Sequence, residues 1–116
     1  MSLKYRDEIF EGYNIRISEE DNNTWYCAKD ILDCLGYKNV SANIVNIFNF
    51  IPDKWIHNKR FVVNLKDGRQ QYREMLAISR EGLHLFLERS TMPKARDFQE
   101  WLAGPVLTKN ILMEVA

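Results

Sequence analysis

The stretch NLKDGRQQYRE, residues 64–74, decides how the middle of this chain folds. Its Asp67-Gly68 dipeptide favours the positive φ angles of a type I′ turn, so the stretch predicts an antiparallel β-hairpin. A two-residue turn places Lys66 directly opposite Arg69, and like charges in that position destabilise a hairpin. We therefore expect a phosphate to lie between these two side chains and to offset their repulsion.

The same register sorts the hairpin side chains onto two faces, because alternate residues of a strand point to opposite sides. It pairs Leu65 with Gln70 and Val63 with Tyr72, on a face that suits the core together with Phe61. A polar, carboxylate-free face is expected to hold Arg60, Val62, Asn64, Lys66, Arg69, Gln71 and Arg73. Such a face suits a DNA backbone, with the amides reading base edges. A solvated face that prevents edge aggregation explains the composition equally well, and a longer turn would shift the register.

Length and charge indicate a single domain with a concentrated basic segment. The chain has 116 residues, 46% of them hydrophobic, which predicts one domain over 1–116 with its core at about 10–107. Lys plus Arg equal Asp plus Glu at 16 each, so the total charge indicates no partner. The segment 38–73, however, holds seven bases against two acids. Basic charge is therefore concentrated in the middle of the chain.

The cysteines and the apolar segments indicate the cellular compartment. Cys27 and Cys34 lie in an apolar periodic segment without the spacing of a zinc site, which predicts buried, reduced thiols. No apolar run is long enough to span a membrane, and no signal-peptide pattern is present. We therefore expect a cytoplasmic-type compartment.

Hydrophobic periodicity predicts an α+β fold, in which small antiparallel hairpins pack against about four short helices. An opening hairpin is expected from a strand around residues 13–17 and a return strand at 25–26. The helices are expected from residue 28 to a stop at Gly36, from about 40 to Pro52, after an N-cap at Ser79, and from about 91 to 103.

The segment LGYKNVSAN, residues 35–43, has the layout of a helix-turn-helix. The start of its second helix would present polar side chains to base edges, namely those of Lys38, Asn39, Ser41, Asn43 and Asn46. Asn and Ser also gather at helix starts because they cap the first N–H groups. For any single residue of this set, capping is the favoured interpretation.

The residue inventory does not favour an enzyme. His57 and His84 have no metal-ligand spacing with each other or with the cysteines. No phosphate loop, nucleophile elbow or carboxylate pair with a base stands out. We therefore predict no catalytic residue, no metal and no cofactor.

Several short motifs in order along the chain carry a family resemblance. They are Ala28-Lys29-Asp30, Leu35-Gly36-Tyr37, Ser79, Glu81-Gly82-Leu83, Ser90, Pro93-Lys94-Ala95 and Phe98 with Trp101. From Phe10 to Leu107 the chain resembles the Bro-N domain, the N-terminal module of baculovirus BRO proteins and phage antirepressors. The resemblance implies an α+β DNA-binding module of viral, phage or prophage type, usually joined to a variable C-terminal domain. The chain departs from the family after Pro105, where the usual basic tail is replaced by the apolar ILMEVA, residues 111–116.

The sequence thus predicts a non-enzymatic DNA-binding domain of a regulatory protein, with double-stranded DNA as partner. The predicted DNA contacts are Lys38, Asn39, Ser41, Asn43, Lys59, Arg60, Asn64, Lys66, Arg69, Gln71 and Arg73. The alternative is a protein-interaction module that binds a repressor through ILMEVA or through Trp55-Ile56. A homodimer remains open under both interpretations.

Overall fold

The structure is a computed structural model that describes residues 3–103. An antiparallel five-stranded sheet and four α-helices make an α+β fold, as the sequence predicts. The elements are β1 (Leu3–Phe10), β2 (Tyr13–Glu20), β3 (Asn23–Cys27), α1 (Ala28–Leu35), α2 (Val40–Ile47), a 3₁₀ turn (Asp53–Trp55), β4 (Ile56–Asn64), β5 (Gln70–Ser79), α3 (Arg80–Arg89) and α4 (94–103, to the last described residue).

The first three strands form a meander joined by two-residue turns. Both residues of each turn have positive φ: 49° and 84° at Glu11-Gly12, and 48° and 71° at Asp21-Asn22. These are the φ signs of the type I′ turn, whose twist matches that of the flanking strands. The sequence predicted only a hairpin from residue 13 onward, so β1 and its turn were missed.

The β4–β5 hairpin has a longer loop than the predicted two-residue turn. The Leu65 N–H donates to the Arg69 carbonyl at 2.8 Å, and the Gly68 N–H donates to the Leu65 carbonyl at 3.0 Å. Within the loop only Gly68 has positive φ, at 90°. A three-residue loop with a left-handed glycine is the next most common hairpin connection. Lys66 therefore does not face Arg69, and the predicted repulsive pair is wrong.

The predicted ends of α1 and α3 are confirmed. Gly36 follows α1 at φ 94°, and its N–H donates to the Asp33 carbonyl at 3.1 Å. Ser79 caps α3 by accepting a hydrogen bond from the Gly82 N–H at 3.2 Å. Both ends follow from the residue type, because glycine tolerates the left-handed stop and serine satisfies a free N–H.

The second helix is shorter than predicted. It ends at Ile47 with Phe48 as its C-cap, and Pro52 instead precedes the 3₁₀ turn that leads into β4. Phe48 and Ile51 still reach the core, at 3% and 4% exposure. The helical spacing thus predicted the buried side chains correctly and the helix end incorrectly.

The sheet order β1-β2-β3-β5-β4 gives the protein two apolar clusters. The helices cover one face, where Ile15, Ile17 and Ile78 are at most 1% exposed. On the other face Cys27, Phe61 and Ala77 form a smaller, fully buried cluster. The sheet is coiled, so β4 contacts β2 although the two strands are not neighbours in the sheet. This contact encloses the smaller cluster.

The thiols are buried and free, as the sequence predicts. Burial raises the pKa of the Cys27 thiol to about 11 and that of Cys34 to about 12. Cys34 also contacts the Ile31 carbonyl at 3.1 Å. Both side chains therefore act as small core residues.

Candidate nucleic-acid interface

The observed register redistributes the basic side chains of the β4–β5 hairpin. Directly opposite residues share a face, and Arg60 is opposite Glu74 whereas Arg73 is opposite Phe61. Arg60 and Asn64 therefore lie on one face with Gln70, while Arg73 and Gln71 lie on the other. The single carboxylate-free face predicted from the sequence is wrong, because the three-residue loop shifts one strand by a position relative to the other.

The hairpin tip holds one free cation and one paired cation. The Arg69 guanidinium donates to the Asp67 carboxylate at 2.6 Å, and the Arg69 N–H donates to the other carboxylate oxygen at 3.1 Å. Lys66 is exposed and has no ion pair with the described residues. Behind the tip, the amide of Gln70 donates to the Asn64 side chain at 3.3 Å. The two amides orient each other near the end of the ribbon.

Lys59 has a structural role in the free protein. Its ammonium donates to Glu20 at 3.1 Å and lies 4.9 Å from the centre of the Trp25 ring. The side chain is 25% exposed. These contacts join β4 to β2 and β3, so Lys59 stabilises the coil of the sheet.

Three hairpin cations are exposed without an ion pair to the described residues: Arg60, Lys66 and Arg73. They lie on one face, at the tip and on the opposite face, respectively. The hairpin is therefore basic on both sides and at its end.

The start of α2 shows why side-chain capping does not explain its polar residues. Asn39 is at the N-cap with φ 54°, and its side chain makes no cap hydrogen bond. Its carbonyl instead accepts from the N–H groups of Ala42 and Asn43, both at 3.2 Å, and from the Asn43 amide at 3.1 Å. Lys38 and Ser41 are exposed. The favoured capping interpretation is wrong for Asn39, whose side chain is left for another partner.

The exposed side of α2 carries no charge, a feature that the sequence analysis did not use. Residues 39–52 contain no Asp, Glu, Lys, Arg or His. Val45 is 76% exposed, and the exposed positions around it are Asn, Ser and Ala. Val45 also borders a cleft of about 430 Å³ that includes Ile56 and Leu76 at the base of the hairpin. Surface helices normally carry charge on this side, so the composition indicates a contact surface.

A second cleft, of about 380 Å³, lies at the start of β3 and the end of β5. It is lined by Trp25, Trp55 and Arg80, and the ammonium of Lys54 lies 5.0 Å from the Trp55 ring centre. Trp55 and Ile56, the predicted protein-binding pair, are both half-buried. The other predicted protein-binding segment, 111–116, lies outside the described residues.

Over residues 3–103, no cluster of His, Cys, Asp and Glu has the arrangement of a metal site. None of the helices described here is long and apolar enough to cross a membrane.

Comparison with protein families gives one match, the N-terminal domain of the BRO family, Bro-N, over residues 14–108. The chain belongs to the Bro-N family. The match covers nearly the same span as the resemblance from 10 to 107. Neither the curated proteins nor the solved structures contain a significant match to this Bro-N chain.

Proposed function

We propose that this Bro-N domain binds double-stranded DNA as part of a viral, phage or prophage regulatory protein. Family membership over residues 14–108 carries the proposal, because Bro-N is a regulatory domain type associated with DNA binding. The free cations of the β4–β5 hairpin and the exposed polar side chains at the start of α2 support it.

The arrangement of the hairpin cations suits insertion of the ribbon into a groove. The major groove is about 12 Å wide and admits a two-stranded ribbon. Arg60 and Arg73, on opposite faces, would then each meet the phosphates of a different DNA strand. Lys66 at the tip would contact the floor of the groove or a neighbouring phosphate. This arrangement replaces the single basic face expected from the sequence.

Two sets of amides are available for base contacts. Asn64 and Gln71 lie on opposite faces near the hairpin tip, and Asn39 and Asn43 lie at the exposed start of α2. Asn and Gln side chains can each make two hydrogen bonds to adenine. Lys38 and Ser41 would hold the backbone beside α2. Mutations can therefore test the DNA contacts of the hairpin and those of the helix separately.

The experiment that tests the proposal is fluorescence anisotropy with labelled duplex DNA at several salt concentrations. We compare the parent with an Arg60→Gln, Lys66→Gln, Arg73→Gln triple variant. Each lost phosphate contact should reduce the slope of log affinity against log salt by about 0.9. The matched control is Arg96→Gln, which removes an exposed cation from α4.

The outcomes of this experiment distinguish DNA contacts by the hairpin from DNA contacts by α2. A shallower slope in the triple variant alone supports the hairpin. An unchanged slope together with weaker binding by Lys38→Gln, Asn43→Ala moves the contact to α2. If the parent does not bind duplex DNA even at low salt, the proposal fails.

The exposed Val45 favours one other candidate function, a module that binds a protein partner such as a repressor. The partner would cover the cleft between α2 and the base of the hairpin, which Phe48 and Ile51 also line. Such binding would depend little on salt and would be lost in Val45→Asp, whereas the hairpin triple variant would bind normally. Isothermal titration with a candidate repressor would measure it.

A further inference from the structure

The first strand leaves one backbone edge of the sheet open. β1 lies at the end of the strand order, and within residues 3–103 it pairs only with β2. All eight of its residues are in the ladder with β2, so the opposite edge presents a continuous row of backbone N–H and C=O groups. Such an edge is a template for another strand.

Two side chains of β1 are apolar and exposed at the open edge, although four of its eight residues are charged. Leu3 is 52% exposed and Ile9 is 67% exposed, and both lie on the same face of the strand. Natural edge strands are commonly protected by charged residues, a bulge or a proline, so the charges of β1 determine which strand can pair with it. The described part of the chain leaves both side chains largely uncovered.

The charges of β1 are arranged so that the strand complements itself. An antiparallel pair of identical strands has a two-fold axis, which keeps the helices of both copies on one face when it is perpendicular to the sheet. If that axis passes between the two copies of Arg6, Lys4 is opposite Glu8 of the second copy, and Leu3 is opposite its Ile9. Both contacts occur twice.

The central Arg6 pair is tolerable because each guanidinium is already neutralised within its own copy. Arg6 donates to Glu19 at 2.9 Å and also binds Glu8. An axis moved to Asp7 would place Arg6 opposite Glu8, a pair that each copy already forms within itself. It would also oppose two carboxylates and place Lys4 against Phe10, which is 4% exposed. The charge pattern therefore selects the register centred on Arg6.

We propose that a second copy of this chain pairs antiparallel with the open edge of β1, centred on Arg6, and makes a ten-stranded sheet. The contact surface consists of one strand from each copy, so the dimer should be concentration-dependent. The proposal does not depend on DNA binding. It concerns the edge of β1, at the opposite end of the strand order from β4, although the ring centres of Tyr5 and Tyr72 lie 5.6 Å apart.

The test uses the full chain in sedimentation equilibrium over a range of concentrations. The parent mass should rise from 13.8 kDa toward twice that value. Lys4→Glu and Glu8→Lys, each alone, replace two attractive pairs by two repulsive ones and should weaken association about tenfold. An equimolar mixture of the two variants restores opposite-charge pairs between the copies, so it should dimerise more strongly than either variant alone.

Lys66→Glu is the control, because it makes the same charge change as Lys4→Glu at the hairpin tip, which lies outside β1. Thermal unfolding of each variant verifies that it is folded. A parent that stays monomeric overturns the proposal, as does a mixture that fails to recover dimerisation. A monomer in which the amide protons on the outward edge of β1 are protected from exchange would also overturn it, because the chain itself would then cover that edge.

Discussion

Arg16 and Asp30 join the sheet to the first helix through a two-point ion pair. The Arg16 guanidinium donates to both carboxylate oxygens of Asp30 at 2.8 Å, and the backbone N–H of Arg16 donates to the same carboxylate at 3.0 Å. The side chains are 20% and 10% exposed. The hydrogen bond to Asp30 raises the pKa of Arg16, so the guanidinium stays charged.

Asp30→Asn should lower the free energy of unfolding by about 2–3 kcal/mol, because it leaves a partly buried guanidinium without its counter-charge. The control is Asp33→Asn, which removes an exposed partner of Lys29 on the same helix. That variant should lose at most about 0.5 kcal/mol. Urea unfolding followed by circular dichroism measures both, and equal losses would contradict the assigned role of Asp30.

Gly82→Ala should destabilise the protein, although alanine normally favours a helix. A Cβ at Gly82 would lie 2.9 Å from Cγ1 of Ile78 and 3.0 Å from the Trp55 Cβ. Overpacking of this kind costs about 1–3 kcal/mol, which exceeds the helix-propensity gain of about 1 kcal/mol. His84→Ala, on the exposed side of α3, should change the melting temperature little. A more stable Gly82→Ala protein would show that α3 does not press against Trp55.

The cysteines should be unreactive in the folded protein. Because both thiols are fully buried, with pKa values raised to about 11 and about 12, Ellman's reagent at pH 8 should detect neither until denaturant is added, and then both. The unfolded thiols ionise near 9.0, so stability should fall as the pH rises above that value. Rapid reaction of a native thiol at pH 8 would mean that the core opens locally.

The sequence predicted the features that depend on the chemistry of one residue, and it missed the features that depend on how distant strands align. The stop at Gly36 and the cap at Ser79 were predictable because one residue determines each. The Asp67-Gly68 turn was assigned to the wrong class, since the same dipeptide fits loops of two or three residues. That one-residue difference moved Arg73 to the other face of the hairpin. The candidate DNA contacts themselves stay predictions.

The sequence also gave little sign of the tertiary roles of Lys59 and Val45. The Glu20 that binds Lys59 lies in a distant strand, and only the coil of the sheet brings them together. Val45 fits the apolar spacing of a helix, yet it faces outward. Residue type and spacing alone do not distinguish a core valine from one on a contact surface.

The short turns of the β1–β2–β3 meander have a consequence for the order of folding. Pairing across two-residue turns closes small loops, whereas Trp25 must find Ser79 across the intervening helices and the β4–β5 hairpin. We expect the meander to form in the transition state and β5 to dock afterwards. Ile17→Val should then slow folding, and Ile78→Val should mainly speed unfolding, in stopped-flow measurements. The β4–β5 hairpin would join a sheet whose other half is already built.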